Sequence, residues 1–183
     1  MIRARTGAGG RQGSGSIVDA ADSLSTIAAA ALGIAGFSGV MTAFMQRPGR
    51  LTTVESYRVA VLLGVSFGGL FLALAPMALE RFGVPEPALW GRASVLMVAY
   101  SVIAVTVYLA SSRHIARQAP EIFNRYLFAG IAIGHFVNIG LQLNNALRPN
   151  AVASGIYVLG LIWYLAHAAI QFSRMLFVQP GDR

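Results

Sequence analysis

Residues 55–79 read ESYRVAVLLGVSFGGLFLALAPMAL, and no charged side chain falls between Arg58 and Glu80. A bilayer core about 30 Å thick takes roughly 20 such residues in a helix, so the run reads as a membrane-spanning helix. Working outward, four more apolar runs of similar length lie at 23–46, 88–112, 124–147 and 152–178. The fold class that follows is all-α, a polytopic transmembrane bundle of five helices occupying 22–179. In front of it, Met1 to Ala21 is rich in Gly, Ser and Arg. Such a segment has too little apolar surface to offset the entropy of ordering, so 1–21 is expected to be a disordered tail, with a second short tail at 180–183. The first run is longer than the apolar core of a signal peptide and is expected to stay in the mature chain.

Composition supports a lipid environment. Of 183 residues, 56% are hydrophobic and 11% charged, against about 25% charged in ordinary soluble domains. There is no cysteine, which excludes disulfides and thiolate chemistry. The net charge of +7 comes from arginine alone and is not clustered with aromatics on a soluble module, so nucleic acid is not an expected partner. The arginines instead fringe the apolar runs. Arg47, Arg58, Arg113, Arg125 and Arg174 end the five helices on one side and read as contacts to anionic lipid head groups. Counting loop arginines, the positive-inside rule puts the C-terminus in the cytoplasm and the N-terminus outside. Arg3, Arg5 and Arg11 argue the other way, but most of them lie too far from a helix end to count.

The ends of the runs carry their own signals. Thr52 and Glu55 fit a capping box before the second helix, and Pro76 is expected to kink or end it. Tyr57, Trp90 and Tyr126 sit at run ends as interfacial anchors. His114 falls beside Arg113 in a loop. Gly33, Gly36, Gly39, Gly64, Gly68, Gly130 and Gly134 offer small surfaces for close helix approach, within the chain or to a second copy in a homo-oligomer.

The fourth run carries a polar stripe that a span does not need. His135, Asn138, Gln142 and Asn145 are spaced i, i+3, i+7 and i+10 and share one helix face, while Asn144 points elsewhere. The fifth run answers with Tyr157, Tyr164, His167, Gln171 and Arg174. Counting outward from the turn at Pro149 and Asn150 sets Gln142 level with Tyr157, Asn138 near Tyr164, and His135 near His167. Two such faces on consecutive antiparallel helices form a polar seam. Amides hydrogen-bonded across helices hold bundles together at roughly 0.6–2 kcal/mol per contact. Buried histidines also invite a functional reading.

That reading is narrowed by what is missing. No carboxylate falls deep within a run, so a carboxylate proton relay is absent. Two histidines fall short of the three protein ligands usual at catalytic zinc, and no metal site is expected. The expectation is an integral membrane protein, non-enzymatic by default and without catalytic residues, whose seam holds the bundle and lines a small ligand or ion site. Left open beside it are a histidine-dependent transporter and a bis-histidine haem electron-transfer protein. The stretch GFSG at 36–39 resembles the GxSG nucleophile motif of rhomboid intramembrane serine proteases, with Ser38 in the serine position. Residues 35–76, AGFSGVMTAFMQRPGRLTTVESYRVAVLLGVSFGGLFLALAP, resemble the opening of uncharacterised small multi-pass bacterial proteins. The likeness covers the first two helices, implies a bacterial inner membrane, and implies no activity.

Overall fold

The computed structural model describes residues 14–45, 53–118, 120, 124–148 and 150–177. They form five helices in an up-and-down order: α1 (Ser14–Met45), α2 (Thr53–Arg81), α3 (Glu86–Gln118), α4 (Arg125–Leu147) and α5 (Ala153–Phe177). Each contains a stretch long and apolar enough to cross a membrane, of 24, 29, 31, 23 and 25 residues in order. Large apolar side chains point outward, among them Phe71, Ile103, Ile133 and Leu159. Water would penalise that surface, whereas lipid does not.

α5 is the centre of the bundle. It packs against all four other helices, which follow one another around it as α1, α2, α3 and α4, and among the described residues α1 and α4 do not meet. Its sequence explains the position. Tyr157, Gly160, Leu161, Tyr164, His167, Ala168 and Gln171 are all buried, a wide face at helical spacing.

The helix limits differ from the expected ones in three informative places. α1 begins at Ser14 rather than near 23, so the end of the expected disordered tail is helical; Ala20 and Leu24 are already buried in that first part. α3 runs on to Gln118 and takes in Arg113, His114 and Arg117, so His114 is helical. Its buried stripe continues through Tyr108, Ser112 and Ile115, which keeps the extra turns packed. Pro76 neither ends α2 nor leaves a carbonyl bare. Proline lacks the N–H that would reach the carbonyl four residues back, Leu72. The Tyr157 hydroxyl of α5 donates to the Leu72 oxygen at 2.7 Å and takes the missing donor's place. α2 therefore continues to Arg81, where Gly83 at φ 75° turns the chain and Val84 N–H closes on Leu79 O at 3.1 Å. The proposed cap residue Thr52, the loop residues Arg47 and Arg50, the turn residue Pro149 and the tail 180–183 lie outside the described residues.

Candidate functional site

All eight residues of the expected seam are buried: His135, Asn138, Gln142 and Asn145 on α4, and Tyr157, Tyr164, His167 and Gln171 on α5. Asn144, one residue off the stripe, is exposed. Helix α4 is set in place at its start by Asn124, whose Oδ1 accepts from the N–H groups of Tyr126 and Leu127 at 3.1 Å.

Toward the α4–α5 turn, the polar groups form a directed chain that includes a third helix. Asn145 Nδ2 donates to Ser94 Oγ at 2.9 Å, and Ser94 donates to Gln142 Oε1 at 2.8 Å. Asn145 and Gln142 also donate across to α5, to the carbonyls of Ala153 and Ile156, each at 2.9 Å. Gln142 reaches Asn138 Oδ1 at 3.4 Å, and Asn138 Nδ2 lies 3.8 Å from the Met97 sulfur. Gly160 makes this approach feasible. A β-carbon there would fall 2.5 Å from Gln142 Nε2 and 2.7 Å from both Asn138 Oδ1 and Met97 Sδ. Asn138 is thus engaged beside Gly160, while Tyr164 pairs with Ser101 of α3 at 2.7 Å. Helix α3 is the part that the α4–α5 reading leaves out. Its signal is present in the sequence, since Ser94, Met97, Ser101 and Tyr108 repeat at i, i+3, i+7 and i+14.

The other end of the seam is built from aromatic rings. His135 Nε2 and His167 Nδ1 are 2.9 Å apart, at the matching depth expected from counting. The rings of Trp163, Tyr164 and His167 surround His135 with centroids at 5.7, 5.7 and 5.0 Å, and Tyr108 stands edge-on to His167 at 5.8 Å. The Trp163 indole fills the space left by Gly134.

Hydrogen-bond logic assigns the protons. Arg174 Nη1 donates to Gln171 Oε1 at 3.4 Å, and a guanidinium can only donate. The Gln171 amide nitrogen therefore faces His167 Nε2, at 3.1 Å, and donates to it. A neutral imidazole that accepts at Nε2 carries its proton on Nδ1, so His167 donates to His135 Nε2. His135 then carries its proton on Nδ1, and that atom is buried without a hydrogen-bond partner.

His135 and His167 lie in the wall of a cleft of about 270 Å³ between α2 and α3. The rest of its wall is mainly apolar, with Val61, Val65, Ile103 and Val107, together with Tyr57, Tyr100 and Tyr108. The Tyr100 hydroxyl is used on Gly64 O at 2.5 Å.

The outer candidates separate. Arg113 and Arg125 are exposed at one end and Arg174 is half-buried, but Arg58 is 6% exposed and turned into the bundle. It lies near Arg174 of α5 rather than on the outer face, because its position continues the buried stripe of Leu62, Val65 and Gly69. Trp90 is likewise core, packed on Tyr157 at 5.9 Å, and Tyr57 is half-buried; Tyr126 alone of the three expected anchors is exposed. Of the seven glycines read as packing surfaces, Gly68 and Gly134 are filled, by Tyr100 and Trp163. The other five have open space beside them. Ser38 donates to Ile34 O of its own helix at 2.5 Å. Comparison with family models, curated proteins and solved structures found no match to this chain.

Proposed function

We propose that this is a non-enzymatic integral membrane protein whose amide seam holds α3, α4 and α5 together. Its histidine end, in this reading, receives a small apolar molecule bearing a hydrogen-bond acceptor. The observation that carries the proposal is the unpartnered His135 Nδ1–H in a residue that walls an apolar cleft; the nitrogen itself is buried behind that wall, so a ligand would reach it through a small turn of the ring. A buried donor left unmade costs about 1–3 kcal/mol, which a carbonyl or ether oxygen in the cleft would offset. Because the free atom is a donor, the site favours an acceptor over a cation.

The rival readings fare worse on the same geometry. Nitrogen–metal bonds are about 2 Å long, so two axial imidazoles stand roughly 4 Å apart across an iron. His135 and His167 are instead bonded to each other at 2.9 Å, and that contact does not fit a porphyrin between them. A histidine proton pathway would have to continue through Gln171, whose amide does not relay protons. Ser38 donates within α1, and no histidine bonds to it among the described residues, which gives the protease reading no support.

The cellular setting belongs to the same proposal: a bacterial inner membrane with the C-terminus in the cytoplasm and the N-terminus outside. Support comes from charge. Among the described residues, Arg58, Arg113, Arg117, Arg125 and Arg174 gather at one end of the bundle with Glu55, whereas the other end has three arginines, Arg81, Arg92 and Arg148, with Asp22, Glu80 and Glu86. A reporter fused after Arg183 is expected to be cytoplasmic and one inserted at Asn150 external. The reverse pattern in a correctly inserted chain would overturn the orientation.

The ligand reading is tested by organic extraction of protein purified in mild detergent, followed by mass spectrometry. An oxygen-bearing apolar compound should accompany the native chain and be depleted in Ile103→Trp, which fills the cleft. Identical extracts from the two would remove the ligand and leave the seam as glue.

A further inference from the structure

Beyond the histidine cleft, at the arginine-rich end, α2, α3, α5 and the start of α4 enclose a second, smaller pocket of about 30 Å³. Tyr57, Arg58, Asn124, Gln171 and Arg174 contribute its polar wall. We propose that this pocket is a binding site for one phosphate-class anion.

Four observations converge on it. Arg58 and Arg174 come from different helices and wall the same small pocket, so their like charges repel, while Glu55 is the one carboxylate among the described residues that offsets Arg58. Among the described residues, two guanidiniums stand against one carboxylate. Arg58 is 6% exposed, so solvent screens this repulsion poorly. The Tyr57 hydroxyl is buried at the same place without a hydrogen-bond partner. Finally, Asn124 and Phe128 bring the first turn of α4 to the pocket, and the N-terminal end of a helix dipole favours negative charge. An anion would relieve the repulsion, accept from Tyr57 and complement the helix end together. The space suits roughly two oxygen-sized groups, so a tetrahedral anion would enter with two of its four oxygens and leave the others at the pocket mouth.

The occupant has two sources. Tyr57 and Tyr108 wall both this pocket and the apolar cleft, so a lipid could place its head-group phosphate here with a chain along α2 and α3. Free phosphate offers the same oxygens. The site shares Gln171 and Arg174 with the chain that leads to His135. It is read by a response to added anion, which the extraction test above does not measure, so the failure of one is distinguishable from the failure of the other.

The test uses the full chain in two arms. In dodecyl maltoside, Tm is followed against sodium phosphate, with sodium chloride at matched ionic strength as reference. In nanodiscs, phosphatidylcholine alone is compared with phosphatidylcholine containing phosphatidylglycerol. Tm of the native chain should rise in at least one arm; for Arg174→Gln the phosphate midpoint should be about tenfold weaker, as for the loss of one charge-assisted bond. Tyr57→Phe should show a reduced response, and the exposed-residue control Arg113→Gln a native one. A response to phosphate assigns a free anion, a response to phosphatidylglycerol alone assigns a lipid head group, and either upholds the site. No response in either arm overturns it, as does equal loss in Arg113→Gln and Arg174→Gln. Should Arg174→Gln fail to fold, Tyr57→Phe decides: a native response from it in both arms overturns the proposal.

Discussion

Asn145 and His135 share one face of α4, ten residues and about 15 Å apart, yet their surroundings follow opposite rules. Around Asn145 the amides and a serine close on one another and on α5 carbonyls, and only Asn145 Oδ1 lacks a partner among the amide atoms there. Around His135 a chain of four side chains runs from Arg174 to a nitrogen with nothing to donate to, beside a cleft. The amide network spends its donors on its own helices, and its one bare acceptor, Asn145 Oδ1, belongs to a residue that does not border the cleft. An open-ended network costs stability where it stops, and it is there that an outside group has something to gain. The same stripe of polar residues thus has a structural end and a receptive end.

The largest effect should come from breaking the closed end. Gln142→Leu leaves the Ser94 O–H without an acceptor, although its oxygen still accepts from Asn145, leaves the Asn138 oxygen without its donor and removes a bond to α5, so a loss of about 2 kcal/mol is expected. Asn138→Leu loses weaker contacts and should cost about 1 kcal/mol. Asn144→Leu, on the exposed face, should change stability by less than about 0.5 kcal/mol. Thermal aggregation in detergent reads all three. Equal losses would dissolve the distinction between the seam and the rest of α4.

A smaller and more specific effect is expected at Tyr157, level with the closed end. Tyr157→Phe removes the donor that Leu72 O receives in place of the one Pro76 cannot supply, at a cost of about 1 kcal/mol. Pro76→Ala restores an N–H to that carbonyl. In a Pro76→Ala background the same Tyr157→Phe change should therefore cost clearly less, and a double-mutant cycle measures the coupling. Additive losses would mean that the hydroxyl is not standing in for the proline's missing donor.

The two ends also differ in how far the sequence disclosed them. Apolar length set out five spans, because a bilayer demands it; helical periodicity gathered the polar residues of α4 on one face, and counting from the turn brought His135 level with His167. Ser94, Met97 and Ser101 on α3 were just as regularly spaced, but serine and methionine in a span look like packing residues until a partner amide is placed beside them. Arg58 shows the opposite failure. An arginine near a helix end is ordinarily read as reaching for head groups, and only the position of α5 reveals that this one turns inward. Nothing in periodicity tells which ring nitrogen of His135 holds the proton, since that depends on Gln171 and Arg174 one helix away.

The smallest effect on stability, and the sharpest on function, is expected from the open end. Glutamine keeps a donor and an acceptor but cannot titrate near neutral pH or present an imidazole's geometry. His135 already spends one buried donor on nothing, so His135→Gln removes little that the isolated bundle uses. His167→Gln likewise can still accept from Gln171 and donate toward α4. Both should therefore fold and melt within about 0.5 kcal/mol of the native chain, well short of Gln142→Leu. If the open end receives a ligand, both variants should nevertheless lose the compound that accompanies the native protein, and lose it together, because one ring sets the tautomer of the other. Retention of that compound by two stable, correctly inserted variants would mean that His135 has no part in holding it. A melt as damaged as that of Gln142→Leu would make the histidines part of the glue, and the contrast between the two ends would then be lost.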